Sequence, residues 1–108
     1  MASSKEYLEF ILDQFSLSGG VTYRAMMGEY VLYYHGRIFG GIYDDRLLIK
    51  PTESAKRLMP EAEAETPYEG AKEMLLVDRV DDRLFLAELV DAMFEELPEP
   101  GKKQRRKP

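Results

Sequence analysis

The sequence contains no cysteine. This absence excludes a disulfide framework, a zinc site built on thiolates and a cysteine nucleophile. It is consistent with a reducing compartment, and we expect a cytoplasmic protein. No run of residues approaches the roughly 18 apolar residues of a membrane span. The N-terminus also lacks the basic start and apolar run of a signal peptide, so we expect a soluble protein without membrane contact.

Residue patterns that carry catalysis are equally scarce. The single histidine, His35, precedes Gly36 in a predicted hairpin turn, where a general base would lack a partner and a pocket. Neither glycine pair is followed by the Lys-Ser/Thr of a phosphate loop. Glutamates alternate with alanines in residues 61–65, without the turning backbone of a calcium loop. We therefore expect no enzyme activity, no cofactor and no metal site.

Charge is distributed unevenly along the chain, whose net charge is −5. The last eight residues hold five of the 15 basic residues, and all 20 acidic residues precede them. An acidic body repels phosphate, so we do not expect the folded part to bind nucleic acid. We expect residues 101–108 to form a disordered basic tail. This tail leaves open a weak, salt-sensitive contact with nucleic acid through Lys102, Lys103, Arg105, Arg106 and Lys107.

Periodic patterns in residues 1–100 predict one α+β domain. Apolar residues at helical spacing indicate a first helix, with Ser3 and Glu6 at capping-box spacing. Short runs rich in β-branched and aromatic residues then predict four antiparallel strands. These strands cover residues 21–27, 29–34, 37–43 and 46–50, with turns at His35-Gly36 and Asp44-Asp45 and a bend or bulge at Gly28.

The second half of the chain predicts a helix, a strand and a helix. Thr52 is suited to cap a short helix, and residues 61–72 read as a polar connection. A fifth strand over residues 73–79 has four consecutive apolar residues, which indicate an interior position in the sheet. Asp81 or Asp82 caps the last helix. The predicted order is α-β-β-β-β-α-β-α, with helices packed on an antiparallel sheet of about five strands.

Aromatic residues are concentrated in the predicted sheet, where six of them lie within residues 23–43. Surface aromatics of a four-stranded sheet can stack RNA bases, but that mode requires basic residues nearby. Only three arginines occur in the predicted strands, so packing of the rings against helices is the favoured interpretation.

Four segments resemble the N-terminal domain of the TfoX/Sxy family. They are GVTYRAMMGEY at residues 20–30, LYYHGRIFG at 32–40, DDRLLIK at 44–50 and PYEGAKEM at 67–74. The resemblance covers about residues 3–97, and its specificity rests on order and spacing together. The family's usual Met-Phe-Gly is Met26-Met27-Gly28 here. The length leaves no room for the second domain of the full-length regulators, so we expect a stand-alone N-terminal domain.

The resemblance implies a fold and a functional class. It implies an α+β domain with helices around an antiparallel sheet. Full-length TfoX/Sxy proteins regulate natural competence together with a cyclic-AMP receptor protein, and they are not enzymes. We therefore expect a regulatory or adaptor domain, monomeric or homodimeric, that binds another protein, with strand addition at a sheet edge as one available mode. The candidate contact residues are Arg24, Met26, Met27, Tyr30 and Tyr68. The alternative is that these positions only hold the sheet together.

Overall fold

The first helix is amphipathic, and its apolar side enters the core. In the computed structural model, which describes residues 3–99, helix α1 spans Lys5–Gln14. Leu8 and Ile11 lie three residues apart on one face, and both are buried. Phe15, directly after the helix, continues the same apolar side. This helix therefore contributes one packed stripe to the interior of the domain.

The helix begins one residue later than the predicted capping box implies. Its N-cap is Ser4, whose hydroxyl accepts a hydrogen bond from the Tyr7 N–H at 3.1 Å. The predicted pairing of Ser3 with Glu6 is wrong, because the Ser3 hydroxyl instead donates to the carboxylate of Glu29. That bond ties the start of the chain to the sheet, a long-range contact that local spacing could not reveal.

The predicted α+β architecture and element order are confirmed. The remaining elements are β1 (Val21–Met26), β2 (Glu29–Tyr34), β3 (Arg37–Ile42), β4 (Leu47–Ile49), α2 (Glu53–Leu58), β5 (Ala64–Glu65), β6 (Met74–Leu76), α3 (Arg83–Met93) and a 3-10 helix (Phe94–Glu96). Thr52 caps α2 and Asp82 caps α3, each accepting a bond from a backbone N–H three residues later. One strand, β5, was not predicted.

Two-residue turns join the first four strands. All six turn residues have positive φ, between 50° and 86°, and lie at Met27-Gly28, His35-Gly36 and Asp44-Asp45. Two consecutive positive φ values are the signature of type I′ turns, whose twist suits antiparallel hairpins. Gly28 therefore belongs to a tight turn and not to a bulge. The bulge of this region lies instead in the β2–β3 register, between Leu32 and Tyr33.

The sheet has six strands in the order β1-β2-β3-β4-β6-β5, and every neighbouring pair is antiparallel. The interior position predicted for the fifth strand is confirmed, since β6 lies between β4 and β5. The strand is shorter than predicted, however, and covers only Met74–Leu76. Part of the expected connection, Ala64–Glu65, forms β5 at one edge. A segment of two residues is too short to show the alternation that predicts a strand.

The main core lies on one side of the sheet, which we call the helix face. Side chains of β2, β3, β4 and β6 meet α1 and α3 there, with Leu32, Ile42, Ile49, Leu86, Leu89 and Met93 among the fully buried ones. The rings of Phe15 and Phe39 meet edge to face, with centroids 5.5 Å apart. We call the opposite side of the sheet the back face. Within residues 3–99, no helix has the length and apolar character needed to cross a membrane.

Candidate functional site

The β1–β2 hairpin presents the most exposed strand of the described chain. The two strands pair along their whole length, from Val21 opposite Tyr34 to Met26 opposite Glu29. Every side chain from residue 22 to residue 28 is exposed, whereas β2 is half-buried or buried. β1 is therefore held in the fold by β2 and contributes little to the core. Its side chains remain available to another molecule.

The back face of this hairpin contains Arg24 and Met26. Directly opposed residues of antiparallel strands share a face, and Arg24 lies opposite Val31, which lies opposite Gly41 of β3. Gly41 has no side chain, and a Cβ there would lie 2.6 Å from the ring of Tyr43. The Tyr43 ring therefore covers Gly41. This row of residues makes the back face continuous from β1 to the centre of the sheet.

Tyr68 lies on the same face, beyond Tyr43. The two rings have centroids 6.2 Å apart, and Tyr68 remains 60% exposed. The segment that carries Tyr68 is held by Arg46, whose guanidinium bonds to the carboxylate of Glu65 and to the carbonyl of Thr66. Between this segment and β3 lies a cleft of about 490 Å³, whose lining includes Ile38, Tyr43, Lys50, Tyr68, Lys72 and Met74. Tyr68 thus forms one wall of an open, mixed cleft.

Tyr30 faces the other way. It lies opposite Ala25 and therefore shares the helix face, where its ring packs against the core. There it meets Tyr23 edge to face, with centroids 5.8 Å apart. The structure thus brings Arg24, Met26 and Tyr68 to one face, with Met27 at the tip of the hairpin, and leaves Tyr30 on the opposite face.

Met27 occupies an unusual position in the turn. Its side chain is 96% exposed and its φ is 53°. Left-handed backbone disfavours residues with a bulky side chain by roughly 1–2 kcal/mol, whereas Asn, Asp, His and Gly occur there more readily. The corresponding positions of the other two turns follow that preference, with His35 and Asp44. Met27 therefore combines two locally unfavourable features, a left-handed backbone and an apolar side chain in water.

His35 lies in the turn between β2 and β3, at the end of the hairpin opposite Met27. Its ring packs against Tyr34 and Phe94, with centroid distances of 4.4 Å and 5.9 Å. A Cβ at Gly20 would lie 2.5 Å from that ring, so Gly20 makes room for it. The predicted turn position is confirmed. His35 is thus an exposed turn residue whose ring contacts its aromatic neighbours.

The most strongly shifted ionisable group is also structural. The phenol of Tyr34 donates a hydrogen bond of 2.7 Å to the carboxylate of Asp91 on α3. This bond, reinforced by burial, raises the pKa of Tyr34 to about 12. Burial likewise raises the pKa of Tyr43, to which Tyr68 and then Glu29 add. Burial also raises the pKa of Tyr7, to which Asp45 adds. These tyrosines stay neutral at physiological pH.

Carboxylates with lowered pKa values cap helices. Glu96 accepts bonds from the hydroxyl and the backbone N–H of Ser54 at the start of α2, and these bonds hold the pKa of Glu96 below its usual range. Asp82 accepts the Phe85 N–H and pairs with Arg79, which lowers the pKa of Asp82 in the same way. Each of these shifts is explained by a cap or an ion pair. They do not identify an acid–base pair.

The remaining predicted sites fall outside this surface. In the described part of the chain, no group of three or more histidine, aspartate or glutamate side chains is arranged to hold a metal ion. Glu65 is engaged by Arg46, while Glu61 and Glu63 are exposed. The basic tail, with Lys102, Lys103, Arg105, Arg106 and Lys107, lies outside the described residues.

Sequence reasoning missed two residues of the exposed surface. Tyr23 lies on the helix face of β1, opposite Leu32, and is 45% exposed. Ile38 is exposed on the back face, opposite Tyr33. Side chains alternate between the two faces of a strand, so the sequence could have placed Arg24 and Met26, two residues apart, on one face. Hairpin pairing would have placed Tyr30, which lies opposite Ala25, on the other face. Ile38 gave no such signal, because the β2–β3 bulge shifts its register.

Comparison with known proteins agrees with this architecture. The family model described as the TfoX N-terminal domain matches residues 13–94. The chain is also 35% identical, over 80 residues, to an uncharacterized 12.7 kDa protein in the trpE 5′ region of Spirochaeta aurantia, covering 74% of this chain and 70% of that protein. No solved structure matches the chain significantly. The match over most of the described residues shows that this chain belongs to the TfoX N-terminal domain family.

Proposed function

We propose that this chain is a non-enzymatic regulatory or adaptor domain that binds another protein through the back face and tip of the β1–β2 hairpin. We call this surface, formed by Arg24, Met26 and Met27, the hairpin surface. The proposal follows from the family and from one observation above all, the exposed Met27 in a left-handed turn. The sequence of this chain contains no cysteine, which suits a reducing compartment such as the cytoplasm.

The cost of Met27 supports this role. A local feature that is unfavourable in the isolated fold is often retained at a functional site. Asn or Gly would relieve the backbone and remove an apolar side chain from water. This turn nevertheless has methionine, whereas the corresponding positions of the other two turns have His35 and Asp44, which suit a left-handed backbone. A partner protein that covers the Met27 side chain would remove this apolar surface from water, which accounts for a methionine at this position.

The composition of the hairpin surface also suits protein contact. Arginine, methionine and aromatic residues are enriched in the centres of protein interfaces, where lysine and acidic residues are depleted. Arg24 makes no ion pair or hydrogen bond within residues 3–99, so its guanidinium is free to meet a carboxylate of a partner. Tyr68 and the adjoining cleft extend the same face. The expected partner surface is apolar with an acidic group beside it.

A capture experiment with a stabilised variant tests this function. The purified chain is immobilised, and proteins retained from a lysate of the source organism are quantified by mass spectrometry for wild type, Met27→Asn and Leu84→Asn. Met27→Asn should lose a specific partner at least about tenfold, the scale of one removed contact of about 1.4 kcal/mol. Because this change relieves the turn, misfolding would not account for the loss.

Leu84 is the matched control, since it is an exposed apolar residue at the start of α3, away from the hairpin. Leu84→Asn should retain the same partner as wild type. Identical sets of retained proteins for wild type and Met27→Asn would overturn the proposal. Equal losses for both variants would show a nonspecific apolar attraction and would overturn it as well.

The basic tail supports a second candidate function, a weak contact with nucleic acid. Five positive charges lie within residues 101–108. Neutralising phosphates releases counterions, so such binding should weaken steeply with salt. Fluorescence anisotropy with a generic duplex should therefore detect binding at low salt that disappears when residues 101–108 are deleted. Binding that persists after the deletion, or no binding at low salt, would contradict this candidate.

A further inference from the structure

The outer edge of β1 is a row of backbone groups without a partner in the described part of the chain. In a two-residue hairpin, the residues flanking the turn, Met26 and Glu29, exchange hydrogen bonds, and bonding alternates from there. The odd-numbered residues of β1 therefore point their N–H and C=O groups away from β2. These residues are Val21, Tyr23 and Ala25. The bond of 2.9 Å from the His35 N–H to the Gly20 carbonyl follows the same alternation.

This edge has little of the usual protection against strand addition. Natural sheets protect their edges with short strands, charged side chains, proline or bulges. β1 has six residues, VTYRAM, without proline or lysine, and its register with β2 is unbroken. From Gln14 to Gly28 the only charged residue is Arg24, in a chain of which 32% of the residues are charged. Depletion of charge is characteristic of interface centres.

We propose that the edge is occupied by β1 of a second copy of this chain, antiparallel to the first, about a two-fold axis at Tyr23. Such an axis is perpendicular to the joined sheet, so it keeps the helices of both copies on one side. Paired residues must then share a face, which requires two odd or two even positions. Two sheets of six strands become one continuous sheet.

Two of the registers that this symmetry allows overlap β1 most fully, with the axis at Tyr23 or at Arg24, and charge selects between them. An axis at Arg24 would place two guanidinium groups directly opposite each other, which is unfavourable. An axis at Tyr23 pairs Tyr23 with its symmetry mate, Val21 with Ala25, and Thr22 with Arg24. The two tyrosines then meet on the helix face, where each is 45% exposed in the single chain. Each copy exchanges its outward backbone bonds in full.

The same register suits a second copy of this chain in particular. Arg24 is the one charged residue of β1, and it lies opposite Thr22 of the other copy, so two identical edges meet without like charges in opposition. A two-fold axis creates this contact twice. Charge depletion and the self-complementary register therefore point to the same occupant.

Disulfide cross-linking tests the register directly, because the chain has no cysteine of its own. In Tyr23→Cys, the two introduced thiols lie in a directly opposed, hydrogen-bonded pair with Cα atoms about 5.5 Å apart, within disulfide range. In the control Thr22→Cys, the symmetry mates are diagonal neighbours, about 7–8 Å apart and beyond that range. Under mild oxidation, Tyr23→Cys should become a covalent dimer, and Thr22→Cys should remain monomeric.

Sedimentation of the full chain tests association itself. The wild-type mass should rise with concentration from 12.5 kDa towards twice that value. Ala25→Pro removes an N–H that points away from β2, so it should abolish the dimer while circular dichroism shows an intact fold. If Ala25→Pro unfolds, the pair of cysteine variants decides. A wild type that stays monomeric at millimolar concentration, or equal cross-linking of the two cysteine variants, would overturn the proposal.

This inference is separate from the proposed function. Dimerisation uses the edge of β1 and is measured on the purified chain alone, whereas partner binding uses the hairpin surface. Ala25→Pro should remain able to capture the partner in the lysate experiment. A monomeric wild type that still loses its partner on Met27→Asn would overturn the dimer and keep the function. A dimeric wild type whose captured proteins do not change in Met27→Asn would keep the dimer and overturn the proposed function.

Discussion

The two edges of the sheet are built in opposite ways. At one edge, β1 has six residues, is exposed on both faces and has no described neighbour beyond β2. At the other edge, β5 has two residues and is held by side chains. Arg46 bonds to Glu65 and Thr66 there, and the Glu63 carbonyl accepts the Leu76 N–H at 2.9 Å. We call the first edge open, since its length allows another strand to pair, and the second closed, since a two-residue strand offers little backbone for pairing.

The difference separates stability from recognition. The closed side adjoins β4 and β6, whose side chains are buried against the helices. The open side contributes few buried atoms, so its sequence is free to serve contact with other molecules. The hairpin surface and the β1 edge are both on this side. A short strand held by side chains prevents edge-to-edge growth at the far end, so pairing at β1 would stop at two copies.

The largest expected effect compares two residues that lie opposite each other in the hairpin. Leu32 is fully buried and Tyr23 is exposed, although they are cross-strand neighbours. Leu32→Ala should lower the free energy of unfolding by about 2–5 kcal/mol, the range for a truncated core leucine. Tyr23→Ala should cost about 1 kcal/mol or less. Urea unfolding at low protein concentration measures both, and similar losses would show that β1 is part of the core.

The next effect concerns the anchored end of β2. Tyr34→Phe should lower stability at neutral pH by about 1.5 kcal/mol, since it removes a hydrogen bond to a carboxylate. The pKa of Tyr34 is raised to about 12 in the fold, above 10.0 when unfolded. Its contribution is therefore complete below pH 10 and is lost as the pH rises towards 12.

The measurement is the difference in unfolding free energy between wild type and Tyr34→Phe at several pH values. That difference cancels the other titrating groups. It should be constant up to pH 10 and shrink above it. A difference that does not change between pH 9 and pH 12 would mean that the bond to Asp91 does not hold this end of the hairpin.

A smaller effect should appear when the closed edge is loosened. Arg46→Gln removes the guanidinium bonds to Glu65 and Thr66 and should cost about 1 kcal/mol. Hydrogen exchange at the Leu76 amide should become faster, because its acceptor lies next to β5. Arg24→Gln on the open edge is the matched control and should change neither quantity. Exchange that accelerates equally in β1 would contradict the independence of the two edges.

The sequence predicted the parts of this fold that depend on local rules. The turns at His35-Gly36 and Asp44-Asp45, and the caps Thr52 and Asp82, follow from backbone preferences of single residues. What it missed depends on distant contacts. Nothing near Ser3 announces its bond to Glu29, and the β2–β3 bulge that redirects Ile38 arises from the packing of two strands.

The candidate site was predictable to the same extent. The family resemblance drew attention to Arg24, Met26 and Met27, and hairpin pairing places the first two on one face. The position of Tyr68 on that face depends on its contact with Tyr43, which only the folded chain provides. The exposure of β1 was not predictable either. Its alternation resembles that of a half-buried strand, yet five of its six residues are exposed.

The smallest expected effect is a gain at the tip of the open edge. Met27→Asn places a residue that tolerates φ near 53° where methionine is strained, and it should raise the free energy of unfolding by about 1 kcal/mol or less. Met26→Asn, one residue earlier in extended backbone, is the control and should lower stability slightly. Thermal unfolding of the two variants at one concentration measures the contrast.

A loss of stability in Met27→Asn would mean that the methionine side chain supports the fold, and its exposure would then need no partner. A gain would mean that the chain retains a residue at some cost to its own stability. Since the substitution leaves the rest of the hairpin unchanged, the gain could be compared directly with the binding that the same variant loses. The relation of these two quantities would show whether the open edge is maintained for recognition, against the stability of the isolated domain.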